Sequence, residues 1–544
     1  MTIQEKADVF LDKYLAEYQA AYKKQAAAYW QAANSGTKED FEAYAAADLA
    51  IKQLHSDPHR YAEILALLAD KETLHPLTAR ALTVAETDFK GNQLPDDLLE
   101  KLVSMSTAIE EIFNNFRGQM DGQEYSNNDL LDLMKKETDS QKRQKIWETL
   151  KQVGEEIGPK LKELAKVRNV AAKQLGYTNY WEMEIRLQEH DPAEILEIFA
   201  NLDQETTEPF KQMKMSLDKE LAARFNLTPI EIMPWHYDNP FFQAAPPSAK
   251  VNLDEFYEKK TSAEIVAMVK KFYFDLGMPV DDIAARSDMY ERPGKQQHAF
   301  CLSLDMAGDT RVLMNVKPTC EWMDTSLHEM GHGIYYKYSD CSLPFNLREA
   351  AHTFTTEAVA MLFGALGKNP LWLTTYAGAQ KQRVAALEED ILEQRRREQL
   401  IFARWTLVML HFEKEMYENP DQDLNTRWWD LVERFQFLKR PQSRFVADWA
   451  AKAHFAIAPV YYHNYMLGEL FAAQLRATLV KLAKHQGPTH TLNYTAHHVF
   501  ADFFKEKIFR PGSRFPWPEF VKQATGEALT AKYFAAEGTM SPSV

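Results

Sequence analysis

Apolar residues recur at three-to-four spacing through most of the chain, with few prolines or glycines inside the long runs, which predicts a mainly α-helical protein. The longest predicted helices run from Ser140 to Leu175, Pro192 to Phe225, Pro370 to Glu418 and Pro459 to His485. Several start at a proline, whose fixed φ and missing N–H suit a first helical turn. One stretch breaks the helical period. From Gln296 to Val316, His-Ala-Phe-Cys-Leu-Ser-Leu and Arg-Val-Leu-Met-Asn-Val flank Met306-Ala-Gly-Asp-Thr310, the pattern of a small β-hairpin. Such a hairpin either supports its neighbours or offers an edge to which an extended peptide can add main-chain hydrogen bonds.

No fixed-period repeat stands out and no linker clearly divides the chain. At 544 residues it exceeds the usual size of a single core, so two or three lobes, or one large helical domain with a cleft, are expected. No apolar run is long enough to span a membrane. A net charge of −15 argues against nucleic acid as a partner, because phosphate neutralisation needs a basic face. Cys301, Cys320 and Cys341 cannot all pair within one chain and read as free thiols, with a Cys301–Cys320 disulfide left open. Charges every few residues from Met1 to Tyr18 exclude the apolar core of a secretory signal. As written, the chain reads as cytoplasmic; a chain that began after signal removal would look the same and would be periplasmic or extracellular.

The chemistry concentrates just after the predicted hairpin. In Asp324-Thr-Ser-Leu-His328-Glu329-Met330-Gly331-His332 the two histidines lie four apart on a predicted helix, so both imidazoles share a face and can reach one ion, with Glu329 beside them to activate water. Chance produces this pattern in roughly a few chains per hundred of this histidine content, so it needs company. A catalytic zinc usually takes three protein ligands and keeps a fourth position open. The stretch Arg348-Glu349 to Met361 reads as helical, and Glu357, set among Thr355, Thr356, Ala358 and Val359, is the candidate third ligand. A further histidine in the longer zinc pattern is absent, since Tyr stands at 338.

With these residues, the chain resembles the angiotensin-converting-enzyme (peptidyl-dipeptidase A) family. His-Glu-Met-Gly-His is that family's form of the motif, and the spacing from Arg348-Glu349 to Glu357 also fits. Further similarities are His298-Ala299 upstream, Trp428-Trp429-Asp430-Leu431, Lys452-Ala-His454, Tyr462-His-Asn-Tyr465, and Phe10 to Tyr14 near the start. The resemblance implies one zinc per chain and a single metallopeptidase domain over 1–544. It implies a helical ellipsoid of two lobes around a deep channel, with 1–120 as lid helices and the small hairpin beside the zinc helix. It assigns His454 and Tyr465 to the oxyanion, His298 and Ala299 to the substrate strand, and Lys452 with Tyr462 to the substrate's terminal carboxylate. Tyr461 can exchange roles with Tyr462, because the interval from His454 is one residue longer than usual.

Four departures qualify that picture. Met361 stands where the family has an Asp that hydrogen-bonds a zinc histidine, so support for His332 must come from elsewhere. Tyr237 replaces a Gln that contacts the carboxylate, and Val432 and Asn464 replace arginines that bind activating chloride, which removes the basis for expecting chloride activation. The expected activity is hydrolysis of oligopeptides with release of C-terminal dipeptides. The stretch Tyr462 to Gln474 also looks like thimet-type oligopeptidases and zinc carboxypeptidases, which keeps internal cleavage open as the alternative. A zinc-free binding or scaffold protein is the remote one.

Overall fold

The computed structural model describes residues 1–248 and 250–539. Helices dominate them, and the only sheets among the described residues are two antiparallel two-stranded ribbons, so the fold is mainly α, as the periodicity predicts. The chain divides into two compact units. The first comprises Met1–Gln93, Lys250–Ile391 and Leu467–Thr530; the second comprises Leu94–Ala249, Leu392–Met466 and Ala531–Val544, as far as the described residues go.

In the first unit, the opening helix Ile3–Ser35 starts from a capping box in which Thr2 and Glu5 satisfy each other's backbone N–H. Phe10, Tyr14, Tyr18 and Tyr22 follow at four-residue spacing and so share one face. Their rings pack on one another, on His55 and Phe89, and on Phe345. Tyr22 then donates its hydroxyl hydrogen bond to the carbonyl of Ser303 at 2.9 Å, tying this helix to the predicted hairpin.

That hairpin is present. To number the strands in chain order, β1 (Gly118–Met120) and β2 (Gln123–Tyr125) form a ribbon in the second unit, and β3 (Phe300–Ser303) and β4 (Thr310–Leu313) form the one in the first. The β3–β4 turn is held by the Asp305 carboxylate, which accepts from the N–H groups of Ala307 and Asp309. The β1–β2 ribbon is not among the elements anticipated above, although its turn is Asp121-Gly122, both at positive φ (51° and 80°), the pair a type I′ turn prefers.

Of the long predicted helices, Pro192–Phe225 is continuous, from an Asp191 cap that accepts two backbone hydrogen bonds to Asn226 in the left-handed conformation. The others are shorter or broken. Ser140–Lys151 and Val153–Gln174 are separated at Gln152, whose side chain brackets the main chain of Gln119 in β1. Pro370–Thr375 and Lys381–Glu418 are separated around Gly378 at φ +72°. The last predicted helix begins at His463 rather than Pro459, because Val460 sits at φ +50°, outside any right-handed helix. No helix among the described residues is long and apolar enough to cross a membrane. All three cysteines are free thiols, so the Cys301–Cys320 disulfide does not form.

Candidate active site

His328, Glu329 and His332 lie on the helix Cys320–Lys337, capped by Thr319, and Glu357 lies on Thr353–Gly364. The second helix is shorter than its pattern predicts: Arg348 to Ala351 are outside it and His352 is its cap, accepting from Phe354 N–H through Nδ1 at 3.2 Å. Two glycines let these helices meet. A Cβ on Gly331, inside the motif, would stand 2.9 Å from the Cα of Ala360, and one on Gly364 would stand 2.5 Å from the Asp324 carboxylate. The glycine between Met330 and His332 thus allows the close approach that brings Glu357 to the histidines.

The three candidate ligands converge. Nε2 of His328 and Nε2 of His332 are 3.2 Å apart, Glu357 Oε2 is 3.6 Å from His328 Nε2, and Glu357 Oε1 is 3.7 Å from His332 Nε2. They form the one cluster of His, Cys, Asp and Glu among the described residues with ligand atoms mutually close enough to hold an ion. Tetrahedral coordination with bonds of about 2.0–2.1 Å requires ligand atoms roughly 3.3–3.4 Å apart, so the triangle fits a zinc ion with little adjustment. The side chains of His328 and Glu357 keep 24% and 23% of their surface open, which leaves a side from which a fourth ligand can enter. The donor set fits as well: burial keeps both imidazoles neutral, the form that binds metal, by lowering their pKa values. Burial also raises Glu357 to about 7, and burial with the neighbouring Glu357 carboxylate raises Glu329 to about 8. Two neighbouring acids raised by desolvation, with no Lys or Arg paired to them among the described residues, are the electrostatic complement of a divalent ion.

Support for His332, which Met361 cannot give, comes from Thr356. Its Oγ1 lies 2.8 Å from His332 Nδ1, where it can accept from Nδ1–H in the tautomer that leaves the Nε2 lone pair for a metal. Glu349, the other carboxylate of this segment, is not in the cluster. Desolvation raises its carboxyl to about 7, against its hydrogen bond to Tyr336, although the residue keeps an exposed surface. Beside the motif, Ala299 is half-buried just before β3, and His298 is exposed. Among the described residues β3 pairs on one side only, with β4.

Lys452, His454, Tyr461, Tyr462 and Tyr465 belong to the second unit and gather there. The His454 and Tyr462 rings are 5.0 Å apart, and Tyr465 is 5.3 Å from both Tyr461 and Tyr462. Burial and the adjacent Lys452 lower His454 to about 4, so near neutrality it is an uncharged imidazole able to donate from one nitrogen. Lys452 is buried between Trp405 and Tyr462, its Nζ 5.3 and 5.2 Å from their ring centres, and burial lowers it to about 8. The departures have structural explanations. Tyr237 donates to Asp218 at 2.6 Å and accepts from Lys214 at 2.8 Å. Asn464 donates to Gln188 at 2.7 Å and faces His190 Nε2 at 3.1 Å, and Val432 is buried. Sequence reasoning missed Thr356 and also Gln243, which accepts from Lys452. Nothing in the local pattern of either residue marks it.

The family model described as Angiotensin-converting enzyme matches residues 1–535. Among similar proteins, the Angiotensin-converting enzyme of Theromyzon tessulatum is 21% identical over 491 residues, 83% of this chain and 78% of the relative. That of Oryctolagus cuniculus is 27% identical over 272 residues, 47% of this chain but 20% of the relative, so the match spans about a fifth of that protein's length. The Inactive angiotensin-converting enzyme-related protein of Caenorhabditis elegans is 20% identical over 445 residues, 73% of this chain and 48% of the relative.

Proposed function

The chain belongs to the angiotensin-converting-enzyme family, and from that premise we propose that it is a zinc-dependent peptidase that releases dipeptides from the C-terminus of oligopeptides. The observation that carries this reading is the 3.2–3.7 Å triangle of His328, His332 and Glu357 with buried Glu329 one residue along the same helix. His328, His332 and Glu357 would hold the zinc. Bound there, zinc would supply the Lewis acidity that polarises a peptide carbonyl and makes water a better nucleophile near neutral pH.

The remaining work falls to side chains of this chain. Glu329, beside the proposed ligands, would be the carboxylate that takes a proton from water and returns it to the leaving amine, once the charge of a bound cation offsets the burial that raises it. Ala299, at the start of the open-edged β3, offers its main chain to an extended substrate. The family resemblance gives His454 and Tyr465 the oxyanion, where each preorganised donor lowers the barrier by about 2.7–4 kcal/mol. It gives Lys452 and Tyr462, with Tyr461 as the alternate, the terminal carboxylate. The Lys452 ammonium, buried and without a carboxylate partner among the described residues, supports that role. Removal of C-terminal dipeptides follows if that carboxylate lies two residues beyond the cut.

The test is metal analysis with mass identification of products from unblocked peptides. One zinc per chain and successive loss of C-terminal dipeptides are expected, with both zinc retained and cleavage lost in Glu329→Gln. Internal cleavage that ignores C-terminal amidation would favour an oligopeptidase, and a metal-free protein unaffected by Glu329→Gln would favour a binding role.

A further inference from the structure

Between His454 and Tyr465 the chain makes a turn whose main chain is held by side chains from other stretches of the second unit. Just after His454, Arg168 donates to the carbonyls of Phe455 and Ala456 at 2.6 and 2.7 Å. Further on stands Val460, left-handed at φ +50°, a conformation that a β-branched residue keeps only where its surroundings fix it. Both of its backbone polar groups are fixed: its N–H donates to Glu413 Oε1 at 2.8 Å, and its carbonyl accepts from Gln188 Nε2 at 2.9 Å.

Gln188 also reaches past Val460. Its Oε1 accepts from Asn464 Nδ2 at 2.7 Å, so one side chain ties residue 460 to residue 464 across Tyr461, Tyr462 and His463. The order of donors follows from their chemistry. A carbonyl only accepts, so the Gln188 amide nitrogen must face Val460 and its oxygen must face Asn464. The Asn464 oxygen is then left to accept from His190 Nε2–H, 3.1 Å away. Asn464 and His190 are buried, where a satisfied polar network stiffens the chain it crosses, and the Asn464 N–H closes the turn on the Tyr461 carbonyl at 3.0 Å. Tyr465 follows Asn464 directly and is half-buried, its ring 5.3 Å from those of Tyr461 and Tyr462. Where Asn464 is tied therefore sets where Tyr465 points.

We propose that Gln188 is a positioning residue: by stapling Val460 to Asn464 it fixes the direction in which the Tyr465 hydroxyl leaves the start of its helix. This rests on the reading of Tyr465 as an oxyanion donor. Gln188 acts through Asn464 rather than on the reacting atoms, so its loss lowers kcat and leaves KM and zinc content in place. The staple needs an amide, since a carboxylate at 188 would keep the acceptor for Asn464 and lose the donor for the Val460 carbonyl.

The experiment measures kcat and KM on an unblocked oligopeptide, using the zinc-loaded full chain and the variants Gln188→Met, Gln188→Glu, Tyr465→Phe, and Gln188→Met combined with Tyr465→Phe. Gln188→Met, similar in length but without the hydrogen bonds, is expected to lower kcat roughly ten- to hundredfold at nearly constant KM, the scale on which a misplaced group costs rate. Gln188→Glu is nearly isosteric and should lower kcat likewise with stoichiometric zinc; it replaces the methionine variant throughout if that one fails to fold. Tyr465→Phe should lower kcat by roughly a hundred- to a thousandfold. Adding Gln188→Met to Tyr465→Phe should then change kcat by less than about twofold, because no hydroxyl is left to position. Wild-type kcat in the Gln188 variants, an effect confined to KM, or equal factors in the two backgrounds would overturn the staple and leave Tyr465 its role. If the wild type cleaves no peptide, or Tyr465→Phe keeps the wild-type kcat, the oxyanion reading and this inference fail together.

Discussion

Nδ1 of His332 and Oγ1 of Thr356 are 2.8 Å apart, and Thr356 immediately precedes the proposed third ligand in the chain. One helix therefore delivers both a ligand and the hydrogen bond that orients another. Thr356→Val preserves the shape and removes the acceptor, so zinc affinity should fall roughly ten- to hundredfold, measured by competition with a chromophoric chelator. Thr356→Ser should restore it. An unchanged affinity in the valine variant would reduce this contact to packing.

Glu357 and Glu349 are both acids raised to about 7 by desolvation, yet only Glu357 joins the histidine cluster. Glu357→Ala should strip zinc from the purified protein, because one of three protein ligands is lost. Glu349→Gln should retain stoichiometric zinc and alter thermal stability instead, through its contact with Tyr336. The reverse pattern in metal analysis would transfer the ligand role to Glu349.

What the sequence made legible was what depends on local spacing. Pro192–Phe225 carries its own stop and start signals, and the hairpin ahead of the motif announces itself by alternation. His328 and His332 are one helical turn apart, so their convergence needs no tertiary information. The breaks at Gln152 and Gly378 were hidden because apolar spacing continues across them. The β1–β2 ribbon had its signal in Asp121-Gly122, overlooked beside a stronger helical background. Thr356 and Gln243 could not be read at all. Their roles depend on which atom faces them across 24 and 209 positions of chain, and that is fixed only by packing.

The charge of Lys452 gives a pH signature. Burial lowers this lysine to about 8, so the free enzyme carries the ammonium below that pH and loses it above. KM for a free-acid peptide should accordingly stay level up to pH 7.5 or so and then rise, approaching about tenfold per pH unit beyond 8. The C-terminal amide should lack this rise, which separates Lys452 from other ionisations. Parallel pH profiles for acid and amide would remove Lys452 from the anchor.

Two positions before Tyr462, Val460 holds a left-handed conformation that costs a β-branched residue energy, and its N–H donates to buried Glu413 Oε1 at 2.8 Å. Burial raises Glu413 to about 8, against the opposing pull of the Val460 N–H and Arg168. In the unfolded chain this carboxyl ionises near 4.5. Between about 4.5 and 8 the unfolded state therefore binds fewer protons than the folded one, and the contribution of this group to stability falls as pH rises through that window. Glu413→Gln keeps the acceptor and removes the ionisation. Its melting temperature relative to the wild type should increase from pH 5 to pH 8, whereas Glu413→Ala, which leaves the strained N–H without its partner, should lose about 1–3 kcal/mol at pH 5. If the difference between Glu413→Gln and the wild type stays flat from pH 5 to pH 8, then Glu413 ionises equally in both states, and Arg168 rather than burial governs its charge.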